Sequence, residues 1–141
     1  MKEYISIAPE LKTIIPKFQL LATIETPESY TVALEKLYHQ LIKCPKIGET
    51  DGIKEHPTIF HYFFGGHDFY ICEYEPKIGR MFGFSVCIAD LENSGWGYFH
   101  VSEFSQSKYL NIDYHFQEQS IEAALYTAYP KYYKKPQSLT E

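Results

Sequence analysis

The stretch HYFFGGHDFYICEYE, residues 61–75, constrains the fold most, because two adjacent glycines separate two runs of aromatic and branched residues. Glycine supplies the positive φ that a tight turn needs, so the two runs are predicted to form a β-hairpin. Gly65, Gly66 and His67 are its predicted three-residue loop. A phosphate-binding loop is disfavoured, because a strand rather than a helix follows the glycines and no GKS or GKT sequence is present.

The same strand composition continues along the chain. Four segments have it, and they are TIFHYFF at 58–64, DFYICEYE at 68–75, MFGFSVCIA at 81–89 and WGYFHV at 96–101. Short turns join them, which predicts an antiparallel meander, since a parallel crossover needs a dozen or more residues. NIDYHF at 111–116 is a fifth strand or an extended tail piece, and SEF at 102–104 is predicted to be a short turn.

Two amphipathic helices flank these strands. Apolar residues recur at helical spacing between residues 27 and 43, and they are Leu34, Leu37, Tyr38, Leu41 and Ile42. Thr26 and Pro27 are typical of a helix start, and residues 45–57 are predicted to form an exposed loop. A C-terminal helix is predicted after Ser120 and ends at Pro130.

The N-terminal part is less regular. A short helix is predicted to break at Pro16, because proline lacks the donor that a helix interior needs. LLATIE, residues 20–25, is predicted to be a short strand.

These elements predict a single α+β domain over residues 1–141, a length within the range of one domain. Its antiparallel sheet has four or five strands, and helix 27–43 covers one face with the C-terminal helix as a second candidate for that face. The core is expected to be rich in rings, since the chain has 13 Tyr and 10 Phe. Residues 130–141 are a tail that is either mobile or docked by its tyrosines.

Composition excludes several classes of protein. A net charge of −5 opposes sequence-independent nucleic-acid binding, which depends on Lys and Arg. The N-terminus has no apolar h-region and no run reaches the length of a membrane span. The three cysteines form no CxxC pair and are expected to be reduced thiols. We therefore expect a cytoplasmic protein without a membrane partner.

One polar cleft is a candidate site. Glu73 is the acidic residue placed inside a strand, and a buried carboxylate there needs a partner. His61 or His100 on a neighbouring strand could be that partner, with Tyr98 beside them. The alternative is an outward carboxylate on a solvated face.

Metal binding and cysteine catalysis have weaker patterns. The possible metal ligands, His61, His67, Cys72, Cys87, His100 and His115, lack the short paired spacings of structural zinc sites. Cys72 and Cys87 lie in mid-strand and are interpreted as small buried hydrophobes. No metal, cofactor or catalytic residue is predicted.

The C-terminal segment is a candidate nucleic-acid tail. It mixes aromatic and cationic residues, namely Tyr126, Tyr129, Lys131, Tyr132, Tyr133, Lys134 and Lys135. The alternative is that the lysines complement a helix end while the tyrosines pack on the body of the domain, which makes nucleic acid an unlikely partner.

Three motifs carry a resemblance to a known family. Residues 69–75 form an aromatic strand that ends in acids, residues 82–84 a phenylalanine-glycine strand, and residues 96–104 a glycine-tyrosine strand followed by a serine and an acid. In this order, and with IPKFQLLATIE near the N-terminus, the chain resembles a small bacterial family of unknown function carried on plasmids, prophages and integrative elements. Residues 27–57 look like an insertion relative to that family, and IDYHF lacks an arginine the family often has.

The resemblance implies a fold and a mobile-element context, and it supplies no catalytic residue. With the acidic balance and the aromatic excess, it favours a non-catalytic accessory protein that binds another macromolecule, for example a host defence factor. The expected state is a monomer or a homodimer. The alternative is a small enzyme or ligand-binding domain centred on the candidate cleft of His61, Glu73, Tyr98 and His100.

Overall fold

The computed structural model describes residues 7–139 and contains one five-stranded antiparallel sheet with the strand order β4-β3-β2-β1-β5. The strands are β1 (Phe60–Phe64), β2 (His67–Glu75), β3 (Arg80–Cys87), β4 (Gly95–His100) and β5 (Asn111–Ile112). The α-helices are α1 (Pro9–Ile14), α2 (Lys17–Glu25), α3 (Thr31–Ile42), α4 (Val101–Ser105) and α5 (Ile121–Ala128). The predicted α+β class with an antiparallel meander is confirmed. No helix within residues 7–139 is long and apolar enough to cross a membrane.

The hairpin between β1 and β2 closes more tightly than the sequence predicts. Phe64 pairs directly with His67, so the loop contains only Gly65 and Gly66, and His67 is the first residue of β2. Both glycines have positive φ, at 51° and 84°. Two consecutive positive φ values give a turn whose twist matches that of the flanking strands, which is why two residues suffice.

Apolar side chains point to both faces of the sheet. One face carries Phe60, Tyr62, Ile71, Tyr74 and Met81, and it packs against residues of α1, α3 and α4. The opposite face carries Tyr70, Cys72, Phe84 and Val86, and it packs against residues of α5. The predicted packing of the sheet by helix 27–43 and a C-terminal helix is confirmed, but α5 covers the face opposite to α3 instead of serving as a second cover of the α3 face. Because apolar residues alternate on both sides of β2 and β3, each face needs its own helical cover.

The strand predicted at residues 20–25 is wrong, whereas the predicted break of the first helix at Pro16 is confirmed. α1 ends at Ile14, before Pro16, and α2 then runs from Lys17 to Glu25 where a strand was predicted. The side chain of Gln19 donates to the carbonyl oxygen of Ile112 at 2.8 Å and accepts from its N–H at 2.7 Å. A helix places Gln19 on its inner side, so α2 caps the short edge strand β5 instead of pairing with the sheet.

Two smaller elements also differ from their predictions. The segment after β4 is the helix α4 rather than a turn, because His100 accepts from the N–H of Ser102 and Glu103 accepts from the N–H of His100. β5 contains only two residues, and the N–H of the next residue, Asp113, still donates to the carbonyl oxygen of His61 at 2.8 Å.

Candidate functional site

The structure places the four predicted cleft residues at separate positions. Among residues 7–139, no hydrogen bond, ion pair or ring contact joins any two of His61, Glu73, Tyr98 and His100. Each binds a different set of neighbours. The four residues therefore do not form one site, and each has to be considered in its own surroundings.

Glu73 is buried, with 1% of its surface exposed, so the prediction of a solvated outward carboxylate is wrong. Its carboxylate accepts from the N–H groups of Gly48 and Thr50, each at 2.8 Å, and from the Thr50 hydroxyl. Strand β2 has an irregular register between Ile71 and Glu73, and the loop before β1 runs alongside the irregularity. Glu73 therefore holds this loop against the sheet, and its oxygens are occupied by protein donors.

His61 forms a polar cluster on the face of the sheet that α5 covers. Its Nε2 lies 2.7 Å from Asp68 and its Nδ1 lies 3.1 Å from Asp113, while its ring stacks on Tyr70 with centroids 4.7 Å apart. With both nitrogens engaged, His61 has none left for a substrate. The cluster ties β5 to β1 and β2, and we interpret it as structural.

His100 is exposed and acts at the start of α4, where its Nδ1 accepts from the Ser102 N–H at 3.1 Å. Cys44 and Cys72 are not activated nucleophiles. Burial raises the pKa of Cys72 to about 12 and raises that of Cys44 well above its usual value. The protonated thiol is not the nucleophilic form.

Within residues 7–139, no three His, Cys, Asp or Glu side chains are arranged to hold a metal ion.

The candidate nucleic-acid tail is divided between packed and exposed side chains. Tyr129 and Tyr133 pack against the core on the α5 side of the sheet, and the Tyr133 ring lies 5.9 Å from that of Phe84. Tyr132 and the three lysines, Lys131, Lys134 and Lys135, are exposed. Two of the four rings are thus used for folding and Tyr126 is half-buried, which leaves Tyr132 as the one exposed ring beside the cations.

Glu55 anchors the segment that follows these tyrosines. It accepts from the hydroxyls of Ser120 and Ser138, at 2.7 and 2.6 Å, and from the Ser138 N–H at 2.9 Å. These hydrogen bonds, first those from Ser138 and then that from Ser120, lower the pKa of Glu55 below its usual 4.5.

We expect acidic pH to weaken the attachment of the segment around Ser138 to the rest of the domain. A carboxyl whose folded pKa is depressed contributes stability above its unfolded pKa and loses it as the pH falls through the folded pKa. The Ser138 amide resonance should therefore titrate with a midpoint below pH 4.5, with faster hydrogen exchange once Glu55 is protonated. In Glu55→Gln this titration should vanish. A midpoint at or above 4.5 would contradict the assignment.

The most exposed aromatic group of the sheet lies on β4 and its neighbour β3. We call Arg80, Phe82, Trp96 and Tyr98 the β4 platform. Trp96 is 42% and Tyr98 55% exposed. The Phe82 ring lies 5.5 Å from the Trp96 ring, nearly parallel, and 4.9 Å from the Tyr98 ring. Phe82 is itself half-buried and packs on the α5-side core, so the exposed rings rest on a ring that is fixed by the core.

β4 is an edge strand, and its free edge coincides with the platform. The N–H of Val101 donates to the carbonyl oxygen of Gly79 at 2.7 Å, which sets the alternation of hydrogen-bonded pairs between β3 and β4. By that alternation Gly95, Gly97 and Phe99 bond to β3, whereas the N–H and C=O groups of Trp96 and Tyr98 point away from the sheet. The residues that expose their rings therefore also expose their backbone.

Arg80 adds a charge to this surface. Its guanidinium carbon lies 4.2 Å from the centre of the Tyr98 ring, a cation–π contact. Within residues 7–139 no carboxylate lies at ion-pair distance from it. Arg80 is the single arginine of the chain, and its planar group suits a carboxylate of a partner.

The platform contains one residue of the predicted cleft, Tyr98, and three that sequence reasoning missed. A signal was present in GWGYFH, where glycines alternate with Trp96 and Tyr98 and so give one large and one small face. The sequence could not indicate that this strand lies at an edge. Arg80 was missed because it stands between the predicted strands 68–75 and 81–89 and was assigned to neither.

Comparisons of the chain with protein-family models, with curated proteins and with solved structures find no match.

Proposed function

We propose that this protein is a non-catalytic interaction protein that binds an extended, acidic segment of a partner protein along β4. The observation that carries the proposal is the coincidence of exposed rings and outward backbone groups at Trp96 and Tyr98. A peptide that adds a strand to a sheet edge gains main-chain hydrogen bonds from the edge and specificity from alternate side chains.

Within residues 7–139, β4 has no strand paired to its outer edge, so this edge is available to such a partner. Proteins usually protect edge strands with lysines, prolines, bulges or a covering segment. β4, GWGYFH, contains no Lys or Pro, and its register with β3 is regular over its whole length. Tyr98 and Trp96 are residue types that anchor interfaces, since they bury a large area at low entropic cost.

Charge favours an acidic peptide over a nucleic acid. Arg80 is placed to receive a carboxylate next to Tyr98. A nucleic acid carries a charge on every phosphate and needs several cations to neutralise them, whereas Arg80 is the single cation of the platform.

The biological setting that we propose is that of a mobile-element accessory protein whose partner is a host defence factor. The support for this setting is the resemblance of residues 69–75, 82–84 and 96–104 to a mobile-element family. Trp96 and Tyr98, which lie in the third motif, belong to the β4 platform. The shared motif therefore includes the binding surface.

Two substitutions at Tyr98 separate the contribution of its ring to peptide binding from the contribution of its backbone N–H. Random linear peptides displayed on phage are selected against the purified protein, and the dissociation constant of an enriched acidic peptide is then measured by fluorescence anisotropy. Tyr98→Ala should weaken binding about 10- to 30-fold through loss of the anchor ring. Tyr98→Pro should weaken it further, because proline also removes the outward N–H while leaving the β3 ladder intact.

Tyr109→Ala is the control, because Tyr109 is an exposed tyrosine near the opposite edge of the sheet, beside Phe64 of β1. It should leave the affinity unchanged. Peptides that bind Tyr98→Pro as well as the original protein, or a selection that enriches no peptide, would contradict strand addition at β4. The same pair of proteins, used as baits in bacterial lysate, tests the host partner: the factor should be retained by the original protein and lost by Tyr98→Pro.

A further inference from the structure

Helix α2 has an apolar outer face that nothing in residues 7–139 covers. Phe18 is 49%, Leu21 59% and Ile24 47% exposed, and Ala22 between them is exposed as well. The inner side of the helix is occupied, because Gln19 binds Ile112 and Thr23 is buried. Solvated surface helices usually turn charged residues outward, so three large apolar residues on the outer side need a partner.

The order of residues along α2 is complementary to itself in the reverse direction. When a second copy of the helix lies antiparallel with Leu21 at the centre, Leu21 faces Leu21 and Phe18 faces Ile24. The same register places Lys17 beside Glu25 at both ends, since each is four residues from Leu21. A twofold axis requires a surface that matches itself in this way.

The charges of α2 are unfavourable for the helix alone. Lys17 stands at the N-terminal end, where the helix dipole is positive, and Glu25 stands at the C-terminal end, where it is negative. Neither side chain forms an ion pair with any residue of the described range 7–139. An antiparallel copy reverses both relations, because its Glu25 approaches the positive end and its Lys17 the negative end.

We propose that α2 is a homodimerisation helix, pairing antiparallel with α2 of a second copy through Phe18, Leu21 and Ile24, with Lys17–Glu25 ion pairs at both ends. The surface lies on α2, whereas the partner peptide proposed above binds β4, so a dimer presents two copies of the β4 platform. Two linked sites raise the apparent affinity for a partner that has repeated segments. A nine-residue helix offers less than the ~800 Å² per partner of a standard interface, so the dimer should dissociate in the micromolar range.

Charge reversal tests the direction of the pairing. Sedimentation velocity over a concentration series gives the dimer dissociation constant. Lys17→Glu alone and Glu25→Lys alone should each raise it about tenfold, because each creates two like-charge contacts. The double variant Lys17→Glu/Glu25→Lys should restore the original value. In a parallel pairing each position would meet its own copy, so each single reversal would exchange one like-charge contact for another and leave the dissociation constant nearly unchanged.

A pair of aspartate substitutions tests the apolar contact. Leu21→Asp should leave only monomer at every concentration, because two carboxylates would meet on the twofold axis. Ile42→Asp is the matched control, since Ile42 is 60% exposed at the end of α3, and it should leave the dimer intact. Circular dichroism spectra of all variants check that the fold is retained.

A protein that stays monomeric at all concentrations overturns the proposal. So does a dimer that persists in Leu21→Asp, or one that the double charge reversal fails to restore. Peptide binding at β4 is measured separately, so a failure of dimerisation leaves the function proposed for β4 standing or falling on its own test.

Discussion

Replacing Gly83 with alanine is expected to destabilise the sheet by about 3 kcal/mol or more, or to prevent folding. Gly83 lies in the middle of β3, opposite Ile71 of β2. A Cβ at this position would overlap the carbonyl oxygen of Tyr70 and would lie 2.9 Å from the Cα of Ile71. These are backbone atoms of the adjacent strand, so no side-chain rotation relieves the overlap, and the two central strands would have to separate.

Gly97→Ala is the control for this substitution. Gly97 is the partner of Gly83 in β4, and a Cβ there would meet only the end of the Phe99 ring, at 3.9 Å. It should change the free energy of unfolding, measured by urea denaturation, by less than about 1 kcal/mol, and alanine costs less conformational entropy than glycine. If Gly83→Ala proved as stable as Gly97→Ala, this result would contradict the close contact between the backbones of β3 and β2 at Gly83.

Replacing Glu73 with alanine is expected to lower the free energy of unfolding by about 3 kcal/mol. The N–H and the hydroxyl of the buried Thr50 would lose their acceptor, and each such loss costs about 1–3 kcal/mol. This is a large part of the roughly 5–15 kcal/mol that holds a typical domain folded. The loop around Gly48 and Thr50 should also show faster amide hydrogen exchange than the strands.

The matched control is Glu75→Ala in the same strand. Within residues 7–139 the Glu75 side chain takes part in no hydrogen bond or ion pair, and we expect an effect below about 0.5 kcal/mol. Both variants are compared by urea unfolding at neutral pH. Equal stabilities of Glu73→Ala and Glu75→Ala would contradict the role of Glu73 as the acceptor that holds the loop.

The surroundings of Glu73 also explain why the predicted polar cleft does not form. From the sequence, a carboxylate inside a strand had to be either solvated or paired with a neighbouring side chain. The structure gives a third solution, in which backbone N–H groups of a loop more than twenty residues earlier satisfy the carboxylate. Hydrogen bonds from the backbone leave no mark in composition or spacing, so sequence reasoning could not weigh this solution.

His61 shows the same limit of sequence reasoning, here for hydrogen bonds between side chains. Its partners Asp68 and Asp113 are seven and fifty-two residues away, and the second reaches it only because β5 pairs with β1. The sequence assigned residues 111–116 to a strand or an extended piece. It could not indicate which edge of the sheet that piece would occupy, and therefore which carboxylate would reach the imidazole.

The sequence by itself determined the local elements whose signals are short in range. Glycines between aromatic runs specified the hairpin, the alternation in residues 58–101 specified the strands, and proline and serine marked the start or end of helices. Tertiary structure decided what depends on distant pairing: which face each helix covers, that residues 20–25 join α2, and that β4 is an edge with Trp96 and Tyr98 exposed. Local backbone preferences act over a few residues, whereas burial and edge position depend on which segments meet when the whole chain packs.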